Sequence, residues 1–436
     1  MLKRAVLPLF AALSVALVAC SPGGGARQPA AAKPTAERTA SSGRAATPVI
    51  ASPIVQLVDG GKVASPSPAV HVFLWGNSDT TDRDLAAAKD AGFTWVKQRF
   101  EWRNIEKTRK NSFEWNEPDR IVNAVNQAGL GMIARIDNQP DWARRDRIFP
   151  ASGPPDKMED WKDYVESLAE RYKGKIQAYE VWNEPNISRE WGNAQPDAAA
   201  YTEMLRVSYT AIKKVDPQAI VLSAGLSPTT EVSERARADT LFLNEMYQAG
   251  AKAYFDTLGV HAPGFKSSPE TDPAEVARNP QLNNNDPSAE ELRRAYAFRH
   301  TEDMHKIMVD NGDTDKQVSI MEMGWTSDVR PNSPYTWHAV TEDEKGQYLT
   351  RAVQYATANW APWIGHMTMI YIPDPAWGPS EEQYYWSILN PDGTSRPAFD
   401  ALKGMLPGLI PRAPVASAGA ASAGVVAPVS SPSAKP

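Results

Sequence analysis

Between residues 70 and 372 the chain repeats one alternation eight times: a short run of aliphatic, β-branched and aromatic residues, then a longer segment with helical character. A strand, a helix and a second strand in succession must cross over and pair in parallel, and eight such units allow the sheet to close on itself. The expected fold is therefore α/β, a (β/α)8 barrel in one domain. The predicted strands are 70–75, 93–100, 131–137, 176–182, 219–224, 255–261, 318–321 and 366–372. Helices are expected at 119–128, 161–172 and 198–215, with another running up to Gly92. Thr81-Asp82-Arg83-Asp84, Ser288-Ala289-Glu290-Glu291 and Thr341-Glu342-Asp343-Glu344 each have the spacing of a capping box. No segment repeats in sequence, which argues against a solenoid.

Two of the predicted strands lead directly into a short motif that carries a glutamate. The fourth closes on Trp182-Asn183-Glu184-Pro185-Asn186, where proline stops the strand, and the seventh on Met321-Glu322-Met323-Gly324-Trp325. In a barrel of this kind strand ends line the pocket mouth. Two acids meeting there are the minimum machinery for cleaving a glycosidic bond, one protonating the leaving oxygen and the other attacking the sugar carbon. Asp137, Glu180 and Asp328 are rival carboxylates, but none combines a strand-end position with a matching motif.

On these residues the chain resembles clan A of the glycoside hydrolases, particularly families 5 and 39, over about residues 70–406. The resemblance implies retention of configuration, Glu184 as acid/base and Glu322 as nucleophile, with Asn183 holding the sugar 2-hydroxyl. Two positions depart from the clan pattern. An arginine of the clan is replaced by Lys97, a point charge without the guanidinium fork. The clan's His-x-Tyr on the sixth strand reads His261-Ala262-Pro263 here.

On the second strand Trp95, Lys97 and Arg99 share one face. Facing the pocket, Lys97 or Arg99 lowers the pKa of the nucleophile; the other reading is a buried structural pair with Glu180 or Asp137. His261 either faces the cleft or is a satisfied core histidine. Among the fourteen tryptophans, Trp75, Trp142, Trp325 and Trp377 stand near predicted strand ends. Indole faces stack on sugar rings, so Trp142 and Trp377 are candidate substrate-binding residues; for the others core packing is the plainer reading. Residues 264–286 are long enough for a rim loop.

The ends carry a different message. Met1-Leu2-Lys3-Arg4 precedes an uncharged apolar run that is too short for a membrane span and has signal-peptide form. That leader, residues 1–19, ends in Leu17-Val18-Ala19-Cys20, which resembles a bacterial lipobox. The resemblance implies a diglyceride thioether on Cys20 and acylation after cleavage, hence a membrane-anchored extracytoplasmic lipoprotein. Cys20 is the only cysteine, so no disulfide forms within the chain. Residues 20–68 and 411–436, rich in Ala, Pro, Ser and Gly, read as a disordered tether and tail around a catalytic domain at 69–410. A net charge of -6 disfavours nucleic acid as a partner. The expectation is a monomeric hydrolase of β-linked oligo- or polysaccharides needing no metal or organic cofactor. The alternative is a tethered carbohydrate-binding or sensing protein built on an inactive barrel.

Overall fold

The computed structural model describes residues 57–58, 61–146, 149 and 151–409. Eight parallel strands close into a barrel: β1 (Ser67–His71), β2 (Trp95–Glu101), β3 (Gly131–Asp137), β4 (Ala178–Val181), β5 (Ile220–Ser223), β6 (Thr257–Pro263), β7 (Gln317–Gly324) and β8 (Ile364–Met369). Each pairs with its sequence neighbours, and β8 pairs with β1 to complete the ring.

Strand β3 and the helix Ala198–Val215 have the predicted bounds, and the helices Asn116–Ala128 and Met158–Arg171 start three residues early. The Thr341 capping box is present: its hydroxyl accepts from Glu344 N at 3.1 Å, and the Glu344 carboxylate accepts from Thr341 N at 2.8 Å. The other two boxes are not. Thr81 lies within the helix Ser78–Asp90, where its hydroxyl donates to Asn77 O at 2.8 Å. Ser288 precedes only the one-turn helix Glu290–Arg293, and the helix ahead of β7 is His300–Asp310.

The boundary between tether and barrel also moves. Strand β1 begins at Ser67, with Ser67 and Pro68 in register with His366 and Met367, so these two residues belong to the barrel and not to the tether. Upstream, Leu57–Val58 and Lys62–Val63 form a small antiparallel ladder. Val63 is buried inside the barrel with Ala69, Trp95, Ile133, Ala178, Ile220, Leu222 and Met321. Its N–H donates to Gln317 Oε1 at 2.9 Å, and its carbonyl accepts from Gln317 Nε2 at 3.1 Å. Because Gln317 opens β7, this ladder closes the barrel floor, at the opposite end from the carboxylates.

Outside the barrel wall, the outward strand residues Val70, Val96, Met132 and Val221 pack against helix residues such as Ile121, Val125, Leu168 and Leu205. Burying side chains of this size contributes about 1.5–3 kcal/mol each. The segment 264–286 is ordered: it contains the helix Pro273–Arg278, and buried Asn283 donates to Val276 O and Ala277 O at 2.9 Å each. The leader, Cys20 and the C-terminal tail lie outside the described residues. Among the described residues no helix is long and apolar enough to cross a membrane, and no group of three His, Cys, Asp or Glu is arranged to hold a metal ion.

Candidate active site

The chain delivers Glu184 to the barrel mouth through a backbone that is held under strain. Trp182 and Glu184 adopt φ of 75° and 42°, left-handed values that residues with a Cβ rarely take. The surroundings over-determine this turn. The Trp182 indole donates to Glu190 O at 2.8 Å and packs edge-on against Trp161 and Trp191, while Glu184 N donates to Gly225 O at 3.1 Å.

Glu322 reaches the same mouth by another device. Between β6 and β7 the register runs Val260 to Ile320 and then His261 to Glu322, so one extra residue sits in β7 at Met321. A bulge re-aims the side chains beyond it. Met321 lies in the interior cluster, and yet the next residue, Glu322, turns inward as well to line the pocket, which plain alternation forbids.

The two carboxylates meet at His261. Its Nδ1 lies 3.0 Å from Glu184 Oε1 and 4.0 Å from Glu322 Oε2, so one ring nitrogen faces both acids. Gly225 makes room for that ring, since a Cβ there would stand 2.1 Å from His261 Cδ2. Burial pushes the Glu322 carboxyl up, but the charges of His261, Lys97 and Arg135 outweigh it and leave the group below its ordinary value. Burial also pushes Glu184 up, yet its hydrogen bond to His261 and the Arg189 guanidinium, 2.9 Å from Oε2, hold it at about 2. In the resting pocket Glu184 is therefore a carboxylate, whatever the nearby Glu322 charge does to favour its acid.

On β2 the buried pair with Glu180 is present, and of the two basic residues it is Arg99 that lines the pocket. Lys97 is buried and paired with Glu180 at 2.7 Å, and its ammonium also lies 3.7 Å from Glu322 and donates to Met321 O at 3.0 Å. Arg99 lines the pocket but is paired with Glu101 and, at 3.6 Å, with Asp137. The fork that Lys97 lacks is supplied from β3. Arg135 donates from Nη1 to Asn183 Oδ1 at 2.9 Å and to Glu322 at 3.2 Å, while its Nε stands 2.8 Å from Asp137. The missing phenol of strand six has a counterpart in Tyr371, just past β8, which lines the pocket beside Glu322.

Of the other candidates, Asn183 lies in the pocket wall with its carbonyl turned to Arg135. Trp377 packs edge-on against Phe73 and Tyr371, at ring distances of 4.5 and 5.3 Å, and extends an aromatic wall with His71. Trp142 is not brought to the carboxylates: its indole donates to Glu106 O at 2.7 Å and its ring meets Trp102 at 5.5 Å. Trp325 is fully buried and donates to Ser267 O. Asp328 is spent on Arg330 and Ser333. Sequence reasoning missed Arg135, Tyr371, Arg189 and Glu190, which all line this narrow pocket.

Residues 58–298 match the family Cellulase (glycosyl hydrolase family 5). The chain belongs to glycosyl hydrolase family 5. It is thereby a member of clan A, the retaining glycoside hydrolases, and the matched segment includes Glu184 but stops before Glu322. Among solved structures, a family 39 glycoside hydrolase from Bacteroides cellulosilyticus WH2 is similar with a TM-score of 0.59 and 17% identity, covering 80% of this chain and 64% of that one. A family 5 subfamily 18 variant from Streptomyces cattleya, in complex with Manβ1-4GlcNAc, gives 0.54 and 14% identity over 80% and 82% of the two chains. An exo-β-1,4-mannosidase from Opitutaceae bacterium strain TAV5 gives 0.53 and 16% over 83% and 62%. At these identities the likeness concerns the fold, and this chain spans less than two thirds of the first relative's length. No curated protein sequence matches the chain.

Proposed function

We propose that this family 5 protein is an exported, lipid-anchored hydrolase that cleaves β-linked glycans by double displacement. The observation that carries the reading is the approach of two strand-end carboxylates to one nitrogen of His261, with Glu322 held below its ordinary value by His261, Lys97 and Arg135. Glu322 attacks the anomeric carbon while Glu184, carrying a proton, gives it to the departing oxygen. A glycosyl-enzyme ester forms as the glycosidic bond breaks. Glu184, now a carboxylate, removes a proton from water, and the hydroxide displaces Glu322 with net retention. Asn183, its carbonyl fixed by Arg135, offers its amide nitrogen to a sugar hydroxyl, and the Phe73–Tyr371–Trp377 wall provides ring faces for pyranose stacking. Anchoring rests on Cys20 behind Leu17-Val18-Ala19 and its apolar leader.

Glu322→Ala is expected to lose hydrolysis and regain turnover in azide, giving a glycosyl azide of inverted configuration. A variant as active as wild type without azide would refute the nucleophile assignment. A fatty-acid analogue fed to cells should label the wild type and not Cys20→Ser; equal labelling would remove the anchor.

A further inference from the structure

In the arrangement described above Glu184 is held in the form that cannot donate a proton. Its Oε1 faces His261, and its Oε2 accepts from Arg189 Nη2 at 2.9 Å. A guanidinium only donates, so it favours the ionised form of the carboxyl it touches, and a glycosidic oxygen must compete with it for Oε2. The acid step is favoured when Arg189 moves off Glu184, and a partly buried cation has most to gain from moving to a second carboxylate nearby.

The structure holds that second anion. Arg189 belongs to the short turn of helix Ser188–Glu190, one turn past Glu184, and the next residue, Glu190, lines the same pocket with its carboxylate 3.9 Å from Arg189 Nε. Charged groups face Glu190 from several elements: Arg189 and Glu184 from the β4 loop, Arg135 and Asp137 from β3, and Arg103 from the segment after β2. Burial is the largest influence and, against the pull of Arg189, raises the Glu190 carboxyl to about 7. Near neutral pH Glu190 is thus present in part as its acid, and Arg189 reaches both carboxyls, 2.9 Å from Glu184 and 3.9 Å from Glu190.

We propose that Arg189 and Glu190 form an exchange device that arms Glu184: the Glu190 proton passes to Glu184 as the Arg189 guanidinium moves the opposite way, from Glu184 to Glu190. One O–H bond breaks on Glu190 and one forms on Glu184, and the summed charge of the three groups is zero before and after. Sugar entering the pocket drives the swap by claiming the Oε2 position that Arg189 covers. Arg189 and Glu190 are positioning residues that act through Glu184, and the proposal rests on the reading of Glu184 as acid/base.

The test compares pH profiles of kcat/KM for a β-glycoside with a poor leaving group and for a dinitrophenyl β-glycoside. Glu190→Gln is expected to lose about 10²-fold on the poor leaving group at neutral pH, the lower end of what general acid catalysis contributes, with its basic limb moved to lower pH. Its activity on the dinitrophenyl glycoside should stay near wild type. Adding Arg189→Gln uncovers Glu184, so the double variant should recover about tenfold over Glu190→Gln on the poor leaving group, and Glu190→Asp should keep the wild-type limb. A Glu190→Gln profile that matches wild type on both substrates, or a double variant no better than the single one, overturns the exchange. An equal loss on both substrates also overturns it, because a damaged pocket does not discriminate between leaving groups. The azide experiment on Glu322→Ala involves neither residue, so failure of the glycosidase reading is separately visible.

Discussion

Lys97→Met is the substitution for which the structure gives the firmest number. Lys97 and Glu180 are both fully buried and 2.7 Å apart, and the ammonium also serves Met321 O and, at 3.7 Å, Glu322. Removing one member of a buried pair leaves the other charge without compensation, at about 3–5 kcal/mol. Replacing both members by apolar residues of similar volume is often neutral, so Lys97→Met/Glu180→Leu is expected to recover most of that loss. Urea unfolding at neutral pH measures both, and the coupling of the pair is the difference between the observed and summed losses. A second readout separates stability from chemistry. Glu322 is held below its ordinary value in part by Lys97, and catalysis needs it ionised, so the acid limb of kcat/KM sits low in the wild type. Without Lys97 the carboxyl rises and the acid limb moves to higher pH. The double variant should regain stability, and its acid limb should fall between those of the wild type and the single variant, because losing the neighbouring Glu180 anion offsets part of the loss of Lys97. A single variant that loses less than about 1 kcal/mol would refute the argument that an uncompensated buried charge dominates. An unmoved acid limb would refute the electrostatic role of Lys97.

Gly225→Ala should drive the His261 ring off Glu184, since the new Cβ would stand 2.1 Å from Cδ2; a misplacement of about 1 Å costs about 10²-fold in turnover, and an unchanged kcat would show that the ring position is immaterial. Deletion through residue 56 should leave the unfolding midpoint unchanged, whereas deletion through residue 68 should lower it sharply by removing buried Val63 and the start of β1. Equal midpoints for the two truncations would mean that the floor ladder adds nothing to stability.

The alternation of strands and helices was legible because each β-type run is bounded by turn residues or a helical pattern. Strand β1 was misplaced for an equally local reason. Ser67-Pro68-Ala69 has the composition of the preceding low-complexity stretch, while Val72 and Leu74, which look like strand, lie past its end. What reveals Ser67 as barrel is its pairing with β8, some 300 residues away in sequence, which no local pattern carries. Glu184 and Glu322 were visible as strand-end acids, and Lys97 by alternation on β2. The same alternation places Arg135 on the inner face of β3 with Ile133 and Asp137, so the guanidinium beside Glu322 was within reach of period-two reasoning. The bulge at Met321 was not, because an inserted residue leaves no mark in the sequence of β7. Arg189 and Glu190 follow a motif whose strained turn folds them back over the pocket, and only the turn's geometry reveals that. Trp142 misled because an indole near a strand end serves a carbonyl as well as it serves a sugar.

The ladder at Val63 also fixes a direction. It sits under the first residue of β7, the carboxylates crown the other end, and the last helix, Pro397–Leu409, returns to the same floor, where Leu406 stands against Gly92. Both ends of the barrel chain therefore depart from the face opposite the pocket. If the chain is held at a surface through its N-terminal side, the barrel stands on that surface with its mouth turned outward. A glycan would then reach the rim from the open side without threading between protein and support.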